Sequence, residues 1–188
     1  MLNRPYLTIV YSLLAVGAFV SQPAGGFYDR TTFAAGSWWQ AWTGHWSHYS
    51  LSHLGWNLVV FIPSAAWFER NHPLRARLLL ISLPPVASVS AYFLEPQMTT
   101  YGGLSGLAMG MLVGLALTEL RTGSKLSWFW GSIVGLVVLK IGLELLGDGG
   151  SVFSEYDRET IKVSWSVHVG SLGLGLASGW IRSGNQDR

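Results

Sequence analysis

The sequence predicts an all-helical membrane protein, a six-transmembrane-helix bundle that forms a single domain over residues 1–188. Apolar residues make up 49% of the chain and charged residues only 12%, and the mean hydropathy is positive, which a soluble domain of this length would rarely show. Tryptophan is also unusually frequent. Four tryptophans cluster in the first loop, as is typical of a segment lying among lipid headgroups: Trp38, Trp39, Trp42 and Trp46.

Six apolar stretches define the predicted helices. They cover roughly residues 6–21, 51–68, 78–94, 104–120, 126–147 and 163–181. Several are shorter than the ~20 residues that a straight span requires, so we expect tilted helices or local thinning of the bilayer. The first stretch has the basic start of a secretory signal, but no convincing cleavage site follows it, which favours a retained helix.

The distribution of Lys and Arg predicts the orientation. The cations that flank the N-terminus, the second loop, the fourth loop and the C-terminus are Arg4, Arg70, Arg75, Arg77, Arg121, Lys125, Arg182 and Arg188. The alternate loops hold only Arg30, Arg158 and Lys162. By the positive-inside rule both termini are cytoplasmic. The net charge of +2 therefore reflects topology and gives no indication of nucleic-acid binding.

Four polar side chains share one depth in this bundle. His53 and Asn57 lie at the start of the second helix, Ser105 at the start of the fourth and His168 near the start of the sixth. Each of these helices enters from the outer face, so the four groups lie within about two turns, ~10 Å, of that surface. Ionisable and polar groups inside a membrane mark functional sites, and this set forms a candidate hydrolytic centre.

Small residues at four-residue spacing predict how these groups meet. One stripe contains Gly102, Gly106, Gly110 and Gly114, and the other contains Ser171, Gly175 and Gly179. Such stripes let membrane helices approach closely, and pressing the two together brings Ser105 beside His168.

The chemistry predicted for this layer is acyl transfer. Ser105 would attack, and His168 would take its proton and later protonate the leaving amine. The Ser105 N–H, the Asn57 side chain and the His53 ring are the candidate oxyanion donors. No carboxylate is evidently placed to orient His168, which predicts a dyad, and Lys140 with Glu144 is explained as an i,i+4 ion pair without catalysis.

A metal centre is the alternative use of the histidines. His45, His48 and His53 are candidate ligands, but the chain has no HExxH motif and the loop offers no obvious carboxylate as a third ligand. With no cysteine, a thiol nucleophile and a thiolate metal site are excluded. We therefore expect no metal and no cofactor, and we expect His45 and His48 to form hydrogen bonds within the loop.

Several motifs resemble one family. The segment Gly103-Leu-Ser-Gly106 resembles the GxSG motif of rhomboid intramembrane serine proteases. The segment from His48 through His53 to Asn57 resembles their second-helix His and Asn motif, and His168 in a glycine-rich last helix resembles their base. The short six-helix chain and its Gly-Gly-Leu-Ser-Gly sequence are most similar to the bacterial rhombosortase branch.

This resemblance implies a location and a substrate class. The protein would lie in the bacterial inner membrane, surrounded by lipid, with its active site opening to the periplasm. Its partners would be secreted proteins with a C-terminal tail made of a Gly-Gly motif, a single hydrophobic helix and basic residues. The alternative is a catalytically inactive rhomboid-like protein that binds membrane clients, although the Ser and His whose loss would mark such a protein are both present.

Overall fold

The computed structural model describes residues 4–146 and 164–179, which are helical apart from loops and one pair of two-residue strands. The elements in chain order are α1 (Tyr6–Ser21), β1 (Tyr28–Asp29), α2 (Arg30–Ala34), α3 (Gln40–Trp46), α4 (Leu51–Asn71), α5 (Pro73–Leu94), β2 (Thr100–Tyr101), α6 (Ser105–Arg121), α7 (Ser127–Leu146) and α8 (Trp165–Ser178).

The six apolar stretches all coincide with helices, namely α1, α4, α5, α6, α7 and α8. In the described residues, α5 and α7 are long and apolar enough to cross a membrane by those criteria alone, and α1 is a shorter apolar helix. The number of six membrane spans and the cytoplasmic location of both termini therefore stay predictions. The loop before α8 and the basic C-terminal residues lie outside the described residues.

Serine side chains cap the two helices that carry the candidate imidazoles. Ser50 Oγ accepts a hydrogen bond from the His53 N–H at 3.1 Å, and Ser164 Oγ accepts one from the Val167 N–H at 3.3 Å. Each cap satisfies one of the free N–H groups at a helix start. The caps therefore fix the first turns of α4 and α8, where His53 and His168 lie.

A proline pair in α5 ties this helix to α1. Pro84 has no N–H, so the carbonyl of Leu80, four residues earlier, loses its helical donor. The Tyr11 hydroxyl donates to this carbonyl at 3.0 Å. The bond lost inside α5 is thus replaced by one between helices.

Helix α6 is central, and it packs against α4, α5, α7 and α8. Its glycines allow a close approach to α8. A Cβ at Gly106 would lie 2.6 Å from Val167 Cγ1, and a Cβ at Gly175 would lie 2.7 Å from the Gly110 carbonyl oxygen. The predicted contact of the two small-residue stripes is confirmed, except that Gly102 precedes α6 and lies in a loop.

The tryptophans of the first loop divide into two groups. Trp38, Trp39 and Trp42 expose 71%, 60% and 38% of their surfaces, whereas Trp46 packs against the hydrophobic core. Exposed indoles at one end of a bundle are typical of a segment at the membrane interface.

A short antiparallel ladder joins this loop to the one before α6. Tyr28 pairs with Tyr101 and Asp29 with Thr100, and the two tyrosine rings stack with their centroids 4.6 Å apart. The ladder anchors the residues that lead into Ser105.

Candidate active site

The candidate nucleophile and base lie side by side. Ser105 is the first residue of α6 and His168 lies in the first turn of α8, and Ser105 Oγ is 3.0 Å from His168 Nε2. His168 is buried, whereas Ser105 remains partly exposed. At this distance the imidazole can take the proton of the hydroxyl, which is the activation that a serine nucleophile needs.

The loop before Ser105 passes closely against two polar side chains. Gly103 has φ of +123°, a conformation that residues with a side chain rarely adopt. A Cβ there would lie 2.7 Å from His53 Cε1 and 3.2 Å from Asn57 Nδ2, so glycine is required for this approach. Within the described part of the chain, the buried Asn57 Nδ2 has no hydrogen-bond partner. This buried donor lies against Gly103, two residues before Ser105, and an oxyanion site requires such a free donor.

His48 holds the backbone next to Ser105. Its Nε2 accepts a hydrogen bond from the Leu104 N–H at 3.3 Å, and its Nδ1–H donates to the Trp46 carbonyl at 2.9 Å. Burial lowers the pKa of His48 to about 4, and the neighbouring His53 acts in the same direction. The ring is therefore neutral at pH 7, the state in which Nε2 can accept. The predicted hydrogen bond of His48 within the loop is confirmed by its contact with the Trp46 carbonyl.

His45 anchors α3 on α5. Its Nε2 lies 3.1 Å from the Pro84 carbonyl oxygen and 3.2 Å from both the Ser88 hydroxyl and the Tyr101 hydroxyl. Burial lowers the pKa of His45 to about 4, so this ring too is neutral at pH 7. These contacts fix β2 against the bundle. The prediction that His45 forms a hydrogen bond within its own loop is wrong, because its partners lie on α5 and β2.

The prediction that no carboxylate is placed to orient His168 is wrong. Glu144 in α7 places Oε2 2.6 Å from His168 Nδ1, and its side chain is only 2% exposed. Lys140 contacts the other oxygen, Oε1, so the predicted ion pair is present as well. The sequence did carry a signal, because an ionisable pair within an apolar helix is a functional-site candidate.

The predicted site residues thus converge at one end of the bundle, where Ser105 contacts His168 and Gly103 packs against His53 and Asn57. Gly106 contributes by letting α8 approach α6. In residues 4–146 and 164–179, no group of three or more His, Cys, Asp or Glu side chains could hold a metal ion.

The helical fold and the paired serine and histidine define a class of protein, a helical bundle with a candidate serine-type hydrolytic site in its interior. The Rhomboid domain matches residues 35–185, most of the chain, and the chain belongs to this family. Rhomboid proteins are membrane proteins that act as intramembrane serine proteases, so the match supports proteolysis within the membrane. Among curated proteins, none matches this chain in sequence.

Proposed function

We propose that this chain is a serine endopeptidase in which Ser105 is the nucleophile and His168 the general base. The observation that carries this proposal is the 3.0 Å separation of Ser105 Oγ and His168 Nε2 inside the bundle. The Ser105 proton passes to Nε2 as Oγ bonds to the peptide carbonyl carbon. The imidazolium then protonates the leaving amine as the C–N bond breaks, and water hydrolyses the acyl-enzyme with His168 again as base.

The developing oxyanion is stabilised by donors around Gly103. Asn57 Nδ2 is the strongest candidate because it is buried and free to donate. The His53 ring, which lies against the same glycine, and the Ser105 N–H at the start of α6 complete the proposed set.

The substrate is a single-span membrane protein cut near the outer end of its helix. A peptide carbonyl in a helix is hydrogen-bonded and shielded, so the helix must unwind before Ser105 can attack. Glycines favour unwinding, since each is a poorer helix former than Ala by about 1 kcal/mol. This agrees with a client tail that carries a Gly-Gly motif before its hydrophobic helix and basic residues.

The proposed location is the bacterial inner membrane with both termini in the cytoplasm and the site open to the periplasm. The described cations at the end of the bundle opposite Ser105 support this orientation; they are Arg4, Arg70, Arg75, Arg77, Arg121 and Lys125. Water for deacylation then enters from the periplasmic side.

Covalent labelling tests the nucleophile directly. A fluorophosphonate probe should modify the purified wild-type protein, and peptide mass spectrometry should locate the adduct on Ser105. Ser105→Ala should abolish the labelling, whereas Ser132→Ala, at an exposed serine on α7, should leave it unchanged. A folded wild-type protein that is never labelled but still co-purifies with tailed clients would instead support the inactive client-binding protein.

Co-expression with tailed clients tests the substrate class. Replacing the two glycines of the client motif by Leu should slow cleavage without reducing membrane insertion, and the new C-terminus should map close to the outer end of the client helix. Cleavage in the cytoplasmic half, or cleavage indifferent to the replacement, would contradict both the orientation and the unwinding requirement.

A further inference from the structure

One buried carboxylate, Glu144, contacts the proposed base but has no part in the mechanism described so far. Glu144 is as buried as His168, with both side chains 2% exposed, and its Oε2 lies 2.6 Å from His168 Nδ1. A carboxylate is expensive to bury in apolar surroundings, and Glu144 is retained there with Lys140 on its other oxygen. Both of its oxygens therefore have a partner, Oε1 the Lys140 ammonium group and Oε2 the candidate base.

The contact fixes which imidazole nitrogen can act as a base. An ionised carboxylate only accepts hydrogen bonds, so Nδ1 carries the proton that His168 donates to Glu144. The opposite ring nitrogen, Nε2, then holds the lone pair, and Nε2 is the atom that faces Ser105 Oγ. The tautomer needed for proton abstraction is the one that Glu144 selects.

The charge balance points the same way. When the Ser105 proton reaches Nε2, the ring becomes an imidazolium whose Nδ1–H faces the Glu144 carboxylate. That arrangement stabilises the charge that forms during attack, as in other serine hydrolases with a third acidic member. Lys140 offsets the carboxylate charge before the reaction, so the resting group of Lys140, Glu144 and neutral His168 has no net charge.

We propose that Glu144 is a positioning residue that completes a Ser105–His168–Glu144 triad, with Lys140 holding the carboxylate in place. This inference rests on the proposed function of Ser105 and His168. It assigns α7 a role in catalysis, since α7 delivers the group that orients a base carried by α8.

The test compares Glu144→Gln with wild type in detergent, using rates of fluorophosphonate labelling and cleavage of a tailed client. Glu144→Gln removes the carboxylate charge but keeps the side-chain volume. We expect kcat to fall on the order of 10²–10⁴-fold with KM nearly unchanged. Glu144→Asp, which restores the carboxylate, should recover part of the loss.

Glu69→Gln is the matched control, because Glu69 is a buried carboxylate in the same bundle that contacts neither Ser105 nor His168. It should leave kcat per folded molecule unchanged. Equal kcat for wild type and folded Glu144→Gln, or an equal fall in Glu69→Gln, would overturn the triad while leaving the serine protease standing. A wild-type protein that neither labels nor cleaves would instead remove the proposed function itself, and the triad with it.

A spectroscopic measurement keeps the inference testable if Glu144→Gln fails to fold. In wild-type protein with ¹⁵N-labelled histidine, the His168 signals are those missing from His168→Ala. Nδ1 should be protonated, with its proton resonance shifted strongly downfield, and Nε2 should be unprotonated. An unprotonated Nδ1 with the proton on Nε2 would overturn the proposed role of Glu144.

Discussion

Two buried carboxylates at opposite ends of the bundle form a natural comparison. Glu69, near the end of α4, accepts hydrogen bonds from the Thr8 N–H at 3.0 Å, the Thr8 hydroxyl at 2.9 Å and the Leu7 N–H at 3.2 Å, and it pairs with Arg77. Glu144 pairs with Lys140 and contacts His168. Both are buried and both have a cation, so burial and pairing alone do not distinguish them.

The difference lies in the other partners. The donors to Glu69 hold their protons permanently, and two of them are orphan N–H groups at the start of α1, so Glu69 joins helices. The partner of Glu144 is an imidazole, which can carry a proton on either ring nitrogen and contacts the Ser105 hydroxyl on its far side. A buried carboxylate becomes a candidate for function when the group it orients can itself transfer a proton.

The comparison predicts its largest effect at the Ser105 end. Ser105→Ala and His168→Ala should each lower kcat/KM by about 10⁴-fold or more, because each removes an indispensable part of one unit. The double variant should be no worse than either single variant. Client cleavage assays on folded protein measure kcat/KM. Cleavage by Ser105→Ala at nearly the wild-type rate would show that Ser105 is not the nucleophile.

The next effect concerns the oxyanion. Asn57→Ala should lower kcat on the order of 10²-fold with little change in KM, because its free donor is needed only when charge develops. Asn71→Ala is the control on the same helix, since that amide is exposed and donates to the Trp67 carbonyl. An unchanged kcat in Asn57→Ala would leave the His53 ring and the backbone N–H as the only donors.

The elements that the sequence predicted are those that depend on local pattern. Long apolar runs located six helices, and glycines at four-residue spacing located the α6 and α8 contact. The Ser105 and His168 contact followed from these two facts, because helix order and depth leave little choice of partner.

The features that the sequence did not predict depend on how the helices are rotated about their own axes in the tertiary structure. Glu144 lies 24 residues from His168 in the chain, and no periodicity indicates which face of α7 turns towards α8. The i,i+4 spacing of Lys140 and Glu144 is fully explained by a local ion pair. Nothing in this local pattern indicated that His168 is a further partner of Glu144. The ladder of Tyr28 with Tyr101 has only two residues per strand, too few for an alternating pattern to reveal.

A stability effect should appear at the Glu69 end without a catalytic one. Glu69→Gln replaces an acceptor of four hydrogen bonds by an amide whose NH₂ group faces other donors. It should lower the free energy of unfolding by about 1–3 kcal/mol. Thermal unfolding in detergent measures the loss, and kcat per folded molecule should stay at the wild-type value. A selective fall in kcat would show that the two carboxylates do not differ as argued.

The last effect concerns pH and the support of the Ser105 loop by His48. Its pKa is lowered from 6.5 to about 4 by burial, so the unfolded chain binds more protons than the folded one between these values. The stabilising contribution of neutral His48 is therefore complete above pH 6.5 and is lost as pH falls towards 4, by at most about 1.4 kcal/mol per pH unit.

His48→Gln keeps an acceptor for the Leu104 N–H and a donor for the Trp46 carbonyl but does not titrate. Its unfolding free energy, measured across this window, should fall less steeply with acid than that of wild type. Parallel pH profiles would mean that the His48 ring is not held neutral against Leu104, and the loop before Ser105 would need another support.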